Sequence, residues 1–261
     1  MENLRTYGKA PFNAAVIHGG PGAAGEMAPV ARELAPGGGV LEPLQTSASL
    51  EGQVEELKTV LEKCGDLPVA LMGFSWGAWL SFILTAKYPG LVKKLVLIGS
   101  GGFEEKYAGK LHEIRLSRLG RGDRLEVEAL GEVLERTVGL DQNASFARLG
   151  ALFTKADAFD PVIYEAQPIE YRVDIFQGVW QDAVEMRRSG ELLELGKRIE
   201  CPVSAIHGDY DPHPAEGVQK PLSVILKNFR FILLKNCGHM PWIERQARDK
   251  FYEILKEENK N

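Results

Sequence analysis

Six short apolar runs, each closed by turn residues, limit what this chain can fold into. They are Ala14-Ala15-Val16-Ile17, Gly39-Val40-Leu41, Val69-Ala70-Leu71-Met72, Leu95-Val96-Leu97-Ile98, Val203-Ser204-Ala205-Ile206 and Phe231-Ile232-Leu233-Leu234. Short runs of this kind read as parallel strands buried on both faces. Helical patterns lie between most of them. Val54, Leu57, Leu61 and Cys64 fall on one helix face, and a second helix from Trp76 to Tyr88 ends at Pro89-Gly90. Strand and helix in alternation predict an α/β fold, a mostly parallel sheet of about six strands flanked by helices.

The alternation stops between residues 103 and 198. Periodic segments there, such as Leu125–Val138 and Ile175–Arg188, look helical, no convincing strand appears, and turns fall at Gly139, Pro161 and Pro168. The expected organisation is one core, residues 1–102 and 199–261, with residues 103–198 inserted as a helical cap. Such a cap would cover the carboxyl edge of the sheet, where folds of this kind place their sites.

Composition removes several function classes. The 261 residues carry 31 basic and 36 acidic side chains, a net charge of −5, which argues against non-specific nucleic-acid binding. No stretch reaches about 18 uninterrupted apolar residues, so no membrane span is expected. Met1–Arg5 is polar with no apolar run behind it, so no signal peptide is expected. Cys64, Cys201 and Cys237 are odd in number and form no C-x-x-C pair. A disulfide framework is therefore not expected, and a reducing cytoplasm fits.

The chemistry centres on Gly73-Phe74-Ser75-Trp76-Gly77, a G-x-S-x-G sequence between an apolar strand and a helix. A serine in a tight strand-to-helix turn needs strained backbone angles. Its neighbours two residues away on each side must be small, and the helix starting at Trp76 aims amides at developing negative charge. Serine alone is a weak nucleophile and requires a base held by a third group. His239, in Cys237-Gly238-His239-Met240-Pro241, follows the last strand, and Asp211, in Gly208-Asp209-Tyr210-Asp211-Pro212, follows the strand before it. Ser75, Asp211 and His239 thus all follow carboxyl ends of strands along one sheet edge.

In this order of Ser, Asp and His loops, with a cap position and His18-Gly19-Gly20-Pro21-Gly22 after the first strand, the chain resembles the α/β-hydrolase superfamily over nearly its whole length. The H-G-G-P-G and G-F-S-W-G forms look most like the branch of proline iminopeptidases and related esterases. The resemblance implies a Ser75-His239-Asp211 triad and an oxyanion hole formed by the backbone N–H groups of Gly20 and Trp76. It implies a serine hydrolase acting on a small ester, amide or short peptide, without cofactor or metal. Aminopeptidases of that branch bind a free amino terminus through cap glutamates. Their local motif is not found here, and Glu165 and Glu170 are the acidic candidates. Family members often begin with an antiparallel strand pair, and only about thirteen residues precede the H-G-G strand. That pair is expected to be missing or vestigial.

Rival readings remain open from sequence. Gly20-Pro21-Gly22-Ala23-Ala24-Gly25 matches G-x-G-x-x-G, with Glu42 following 22 residues after Gly20 as a ribose ligand. His207, Asp209, Asp211 and His213 alternate as metal ligands would, although Asp209 reads more simply as a turn residue and His213 as a loop residue. The scaffold can also bind a ligand with little turnover. Arg115, Arg118, Arg121 and Arg124 recur every three residues, as a solvated face or a basic surface. Phe146, Phe153, Phe159, Tyr164, Tyr171, Phe176 and Trp180 read mostly as core, with some available to line an apolar pocket. Self-association stays open.

Overall fold

The computed structural model describes residues 3–136, 142–162 and 169–260. Gly139, Tyr164, Glu165 and Pro168 lie outside them. The chain begins with β1 (Leu4–Tyr7), β2 (Phe12–Ile17), β3 (Ala23–Ala24), α1 (Ala28–Leu34), β4 (Gly39–Pro43) and α2 (Leu50–Cys64). It continues through β5 (Val69–Phe74), α3 (Trp76–Lys87) and β6 (Val92–Ile98). Then come α4 (Leu111–Arg118), α5 (Arg121–Arg136), α6 (Gln142–Asp157), β7 (Glu170–Tyr171), α7 (Val173–Ser189) and α8 (Glu191–Glu194). It closes with β8 (Val203–Gly208), α9 (Glu216–Ile225), β9 (Phe229–Leu234) and α10 (Arg248–Lys260).

Seven strands form one sheet in the order β1-β4-β2-β5-β6-β8-β9. All neighbours from β4 to β9 pair in parallel, and only β1 runs antiparallel, against β4. The antiparallel pair expected to be missing or vestigial is therefore represented by one edge strand. The period of 2 along each strand divides the apolar runs between two cores. In β5, Val69 and Leu71 join α2 and α3 on one face, whereas Ala70, Met72 and Phe74 join α1 and α10 on the other. Helix α2 starts where the Ser49 hydroxyl accepts the Gly52 N–H at 3.1 Å.

Among the described residues between β6 and β8 the named elements are helices, as expected, apart from one short strand. Glu170-Tyr171 forms a two-residue strand paired antiparallel with Ala23-Ala24. Two residues are too few to leave a period of 2 in a sequence. Leu119, Val127, Leu152 and Ala156 form a separate small core for α5 and α6. Helix α7 instead joins the main core through Ile175, Val179 and Ala183. No helix of the described residues is long and apolar enough to cross a membrane.

Register brings the site together. Ile17 of β2 pairs with Gly73 of β5, Phe74 with Ile98 of β6, and Ile98 with Ile206 of β8. The residues immediately beyond these positions all emerge at one sheet edge.

Candidate active site

Ser75 occupies the turn between β5 and α3 with φ 52° and ψ −114°. A non-glycine residue here is strained, and such strain persists only where surrounding contacts impose it. Two contacts do so. The Ser75 N–H donates to the Ile98 carbonyl at 2.9 Å. Gly73 and Gly77 also close on each other: a Cβ on Gly73 would lie 2.1 Å from the Gly77 carbonyl oxygen, and one on Gly77 would lie 2.4 Å from that of His18. The small neighbours expected on either side of the serine are thus required by backbone contact. The approach of Gly77 to His18 also seats the start of α3 against the loop after β2.

Trp76 is the first residue of α3, where an amide has no partner inside the helix. Its indole N–H donates to Gln53 Oε1 at 3.0 Å, which fixes the ring. Gly20 lies in the adjacent loop, its carbonyl accepting from Ala23 N–H at 3.0 Å. His18 is buried; Nε2 accepts from the Gln45 N–H at 3.2 Å, and Nδ1 therefore donates to the Gly19 carbonyl at 2.8 Å. Burial pushes its pKa down, in keeping with this neutral form.

Asp211 and His239 meet. Asp211 Oδ2 lies 2.7 Å from His239 Nδ1. Their loops are held together at Gly208, where a Cβ would lie 2.2 Å from the Cys237 carbonyl oxygen. Tyr210 N–H also donates to that oxygen, at 2.9 Å. Asp211 has a fully buried side chain. Burial alone would raise its pKa, but His239, His207 and His213 hold it well below the usual carboxylate range. Burial likewise disfavours charge on His239, and the Asp211 carboxylate more than offsets it, so that the imidazole lies above its ordinary value. The His239 ring packs on Phe74, centroids 4.8 Å apart, beside Ser75. Among the described residues no hydrogen bond joins the Ser75 hydroxyl to His239; such bonds are often long without substrate.

His213, whose sequence setting is that of a loop residue, belongs here. Its Nδ1 lies 2.8 Å from Asp211 Oδ1, its backbone N–H donates to the same oxygen at 2.9 Å, and its ring centroid is 4.7 Å from that of His239. Burial drives its pKa below the ordinary value despite the carboxylate. Asp211, His213 and His239 offer ligand atoms within 4.8 Å of one another, but hydrogen bonds to one carboxylate already explain that grouping. Asp209, in contrast, is exposed and turned toward Cys237 N–H and Lys235. The alternating quartet does not converge as one ligand set.

Glu26 and Glu244 carried no sequence signal for a site. Glu26 Oε2 accepts the Gly19 N–H at 3.2 Å, and burial raises its pKa to about 7 against the pull of His239. Glu244 is buried and accepts the N–H groups of Phe159, Asp160 and Gly238 at 2.8, 2.8 and 2.9 Å. Glu42 is also buried, and it takes the Tyr7 hydroxyl at 2.6 Å and pairs with Arg5 across the β1–β4 pair.

A pocket opens over Ser75, with Trp79, Trp180, Tyr107, Arg187 and His213 among its walls. Trp79 and Trp180 stack nearly parallel, 5° apart in plane with centroids at 6.1 Å. Of the described aromatics among the pocket candidates, Trp180 is the one that lines it. Phe146 and Phe176 pack behind it. Glu170 lies elsewhere, with Gln45 and Arg172, on another cavity of about 400 Å³. The arginine series is structural in part. Arg115 clamps Asp157 at 2.6 Å, and Arg118 stacks 3.7 Å over Tyr210.

Comparison with known proteins agrees with this fold. Residues 16–246 match the family model described as alpha/beta hydrolase fold. A proline iminopeptidase of Lactobacillus delbrueckii subsp. lactis is 25% identical over 229 residues, covering 81% of this chain and 72% of that protein. The structure of VinJ superposes with a TM-score of 0.68 at 17% identity, covering 98% of this chain and 94% of that one. That of proline iminopeptidase from Mycobacterium smegmatis gives 0.63 at 17% identity, with 97% and 92% covered.

Proposed function

This chain belongs to the alpha/beta hydrolase fold family, and we propose that it is a serine hydrolase cleaving a small ester or amide through an acyl-enzyme on Ser75. The observation that carries this reading is the buried Asp211–His239 pair at 2.7 Å, placed against the residue that precedes Ser75. With Asp211 ionised, His239 holds its proton on Nδ1, and Nε2 is left as the base. His239 takes the Ser75 proton as Oγ attacks the carbonyl carbon. The N–H groups of Gly20 and Trp76 receive the oxyanion, each such donor being worth about 10²–10³ in turnover. His239 then gives its proton to the leaving alcohol or amine. Water, deprotonated by His239, attacks the acyl-enzyme, releasing the acid and restoring Ser75. Residues 103–198 act as the cap that shapes the acyl pocket.

Ester cleavage is the preferred chemistry. Among the described residues lining the Ser75 pocket the fixed charge is Arg187, a cation, which would repel the free ammonium of an aminopeptidase substrate. The second reading, a proline iminopeptidase-like aminopeptidase, draws on the 25% identical relative and on the H-G-G-P-G loop. A fluorophosphonate probe tests the proposal, with hydrolysis of short esters and N-terminal prolyl amides measured alongside. Labelling of wild type that is lost in Ser75→Ala supports it. Labelling that survives the substitution would sink it, and no labelling with tight ligand retention would favour a binding protein.

A further inference from the structure

Arg187 gives the pocket a chemical preference. Its side chain is 14% exposed, and Nε alone is engaged, donating to Glu105 Oε2 at 3.0 Å. Among the described residues, neither terminal nitrogen has a hydrogen-bond partner. A guanidinium with its fork unfilled is a ready receptor for a planar anion, most of all a carboxylate. Glu105 is 52% exposed, so water screens its charge more than it screens the arginine.

The surroundings define the rest of the ligand. The guanidinium carbon sits 5.6 Å from the Trp79 ring centroid, and Trp79 stacks on Trp180. Trp180 and Arg187 are seven residues apart on α7, hence on one face and separated by about 10 Å along it. The wall therefore runs from flat aromatic surface to a cation, with Ser75 lining the same pocket.

We propose that the acyl group this site accepts has an apolar or aromatic body ending in a carboxylate, which Arg187 receives. The inference rests on Ser75 being the nucleophile. The substrate is thus a half-ester of a dicarboxylic acid, and its hydrolysis releases the dicarboxylate and an alcohol. Arg187 is a specificity residue and does not touch the reacting carbonyl.

Matched aryl esters provide the test. The 4-nitrophenyl half-esters of adipic and suberic acids are compared with 4-nitrophenyl hexanoate and octanoate, in wild type, Arg187→Gln and Arg187→Lys. For wild type the acid-to-neutral ratio of kcat/KM should be at least about tenfold, the order of one charge-assisted hydrogen bond. The preference should lie mainly in KM and shrink with added salt. Arg187→Gln should bring the ratio to about one or below, and Arg187→Lys should restore part of it. A structural role for Arg187 would lower both substrates alike and leave the ratio unchanged. A wild-type ratio at or below one, or a ratio that survives Arg187→Gln, overturns the inference while labelling of Ser75 leaves the hydrolase reading standing. Absence of both labelling and ester turnover overturns the two together.

Discussion

Asp157 holds the backbone of His239: its carbonyl oxygen accepts the His239 N–H at 3.0 Å. The same aspartate is clamped by Arg115 from α4. Glu244 bridges this seam from the other side, bonding Phe159 and Asp160 as well as Gly238. Described residues between β6 and β8 therefore hold the backbone of the proposed base as well as lining the pocket.

Glu244→Gln should impair turnover through this seam. A glutamine turns an N–H₂ group toward backbone donors that need an acceptor, so at least one buried amide loses its partner. Stability should fall by about 1–3 kcal/mol in urea denaturation. In the folded variant kcat for an ester should drop further while KM changes little, because Gly238 directly precedes His239. A folded variant with full kcat would show that the loop is held without Glu244.

The two aspartates of the loop after β8 should behave differently. Asp211→Asn removes the charge that orients His239 and should lower kcat by on the order of 10⁴, with the fold retained. Asp209→Asn changes an exposed turn and should leave kcat within a few-fold of wild type. Steady-state kinetics with circular dichroism on each variant decide the matter, and loss of turnover confined to Asp209→Asn would show the orienting carboxylate to be Asp209.

Acidity should inhibit through His239. Its pKa lies above the ordinary 6.5 because Asp211 outweighs burial, so the acid limb of kcat/KM should have its midpoint above 6.5. Ionised Glu26 favours the imidazolium, so Glu26→Gln should move that limb to lower pH. Glu26 also gives a stability signature. Its pKa is raised from 4.5 to about 7, so the folded state holds its proton more tightly than the unfolded chain. The stability this contributes is complete below about 4.5 and is lost as pH rises through about 7. The Tm of Glu26→Gln relative to wild type should therefore be higher at pH 8 than at pH 4.5, and a difference independent of pH would contradict the assignment.

Glu258 offers a contrast in stability away from the site. It is 4% exposed, 2.5 Å from Lys94 Nζ, 2.9 Å from Ser204 Oγ and 3.2 Å from Arg230 Nη1. Lys94 lies near the start of β6, whereas the site lies beyond its other end. Glu258→Ala leaves that lysine without its buried partner and should cost about 3–5 kcal/mol. Per folded molecule, kcat/KM should not change.

The sheet was largely readable from sequence because strands buried on both faces leave uninterrupted apolar runs. Ser75, Asp211 and His239 were readable because each follows such a run, and a parallel sheet collects those ends. Edge strand β1 was hidden by its mixed residues Leu4-Arg5-Thr6-Tyr7. The β3–β7 ribbon was hidden by length. His213 reaches Asp211 because the turn folds back within two residues, a contact that sequence spacing does not distinguish from a loop. Glu244 and Glu26 act through backbone amides, those of Phe159, Asp160 and Gly238 and that of Gly19, and a carboxylate that binds amides looks in sequence like any surface acid. Arg187 and Trp180 share a helix face by spacing, but only the packing of α7 against α3 shows that this face meets the pocket.

Direct capture of the acyl-enzyme is the most decisive measurement. Wild type is mixed with a 4-nitrophenyl ester in a rapid-quench apparatus, and the trapped protein is weighed and mapped by mass spectrometry. The expected result is one acyl group on the peptide containing Ser75, forming with the burst of nitrophenol and absent from Ser75→Ala. Acyl transfer to another residue, or multiple turnovers by Ser75→Ala at the wild-type rate, would contradict it.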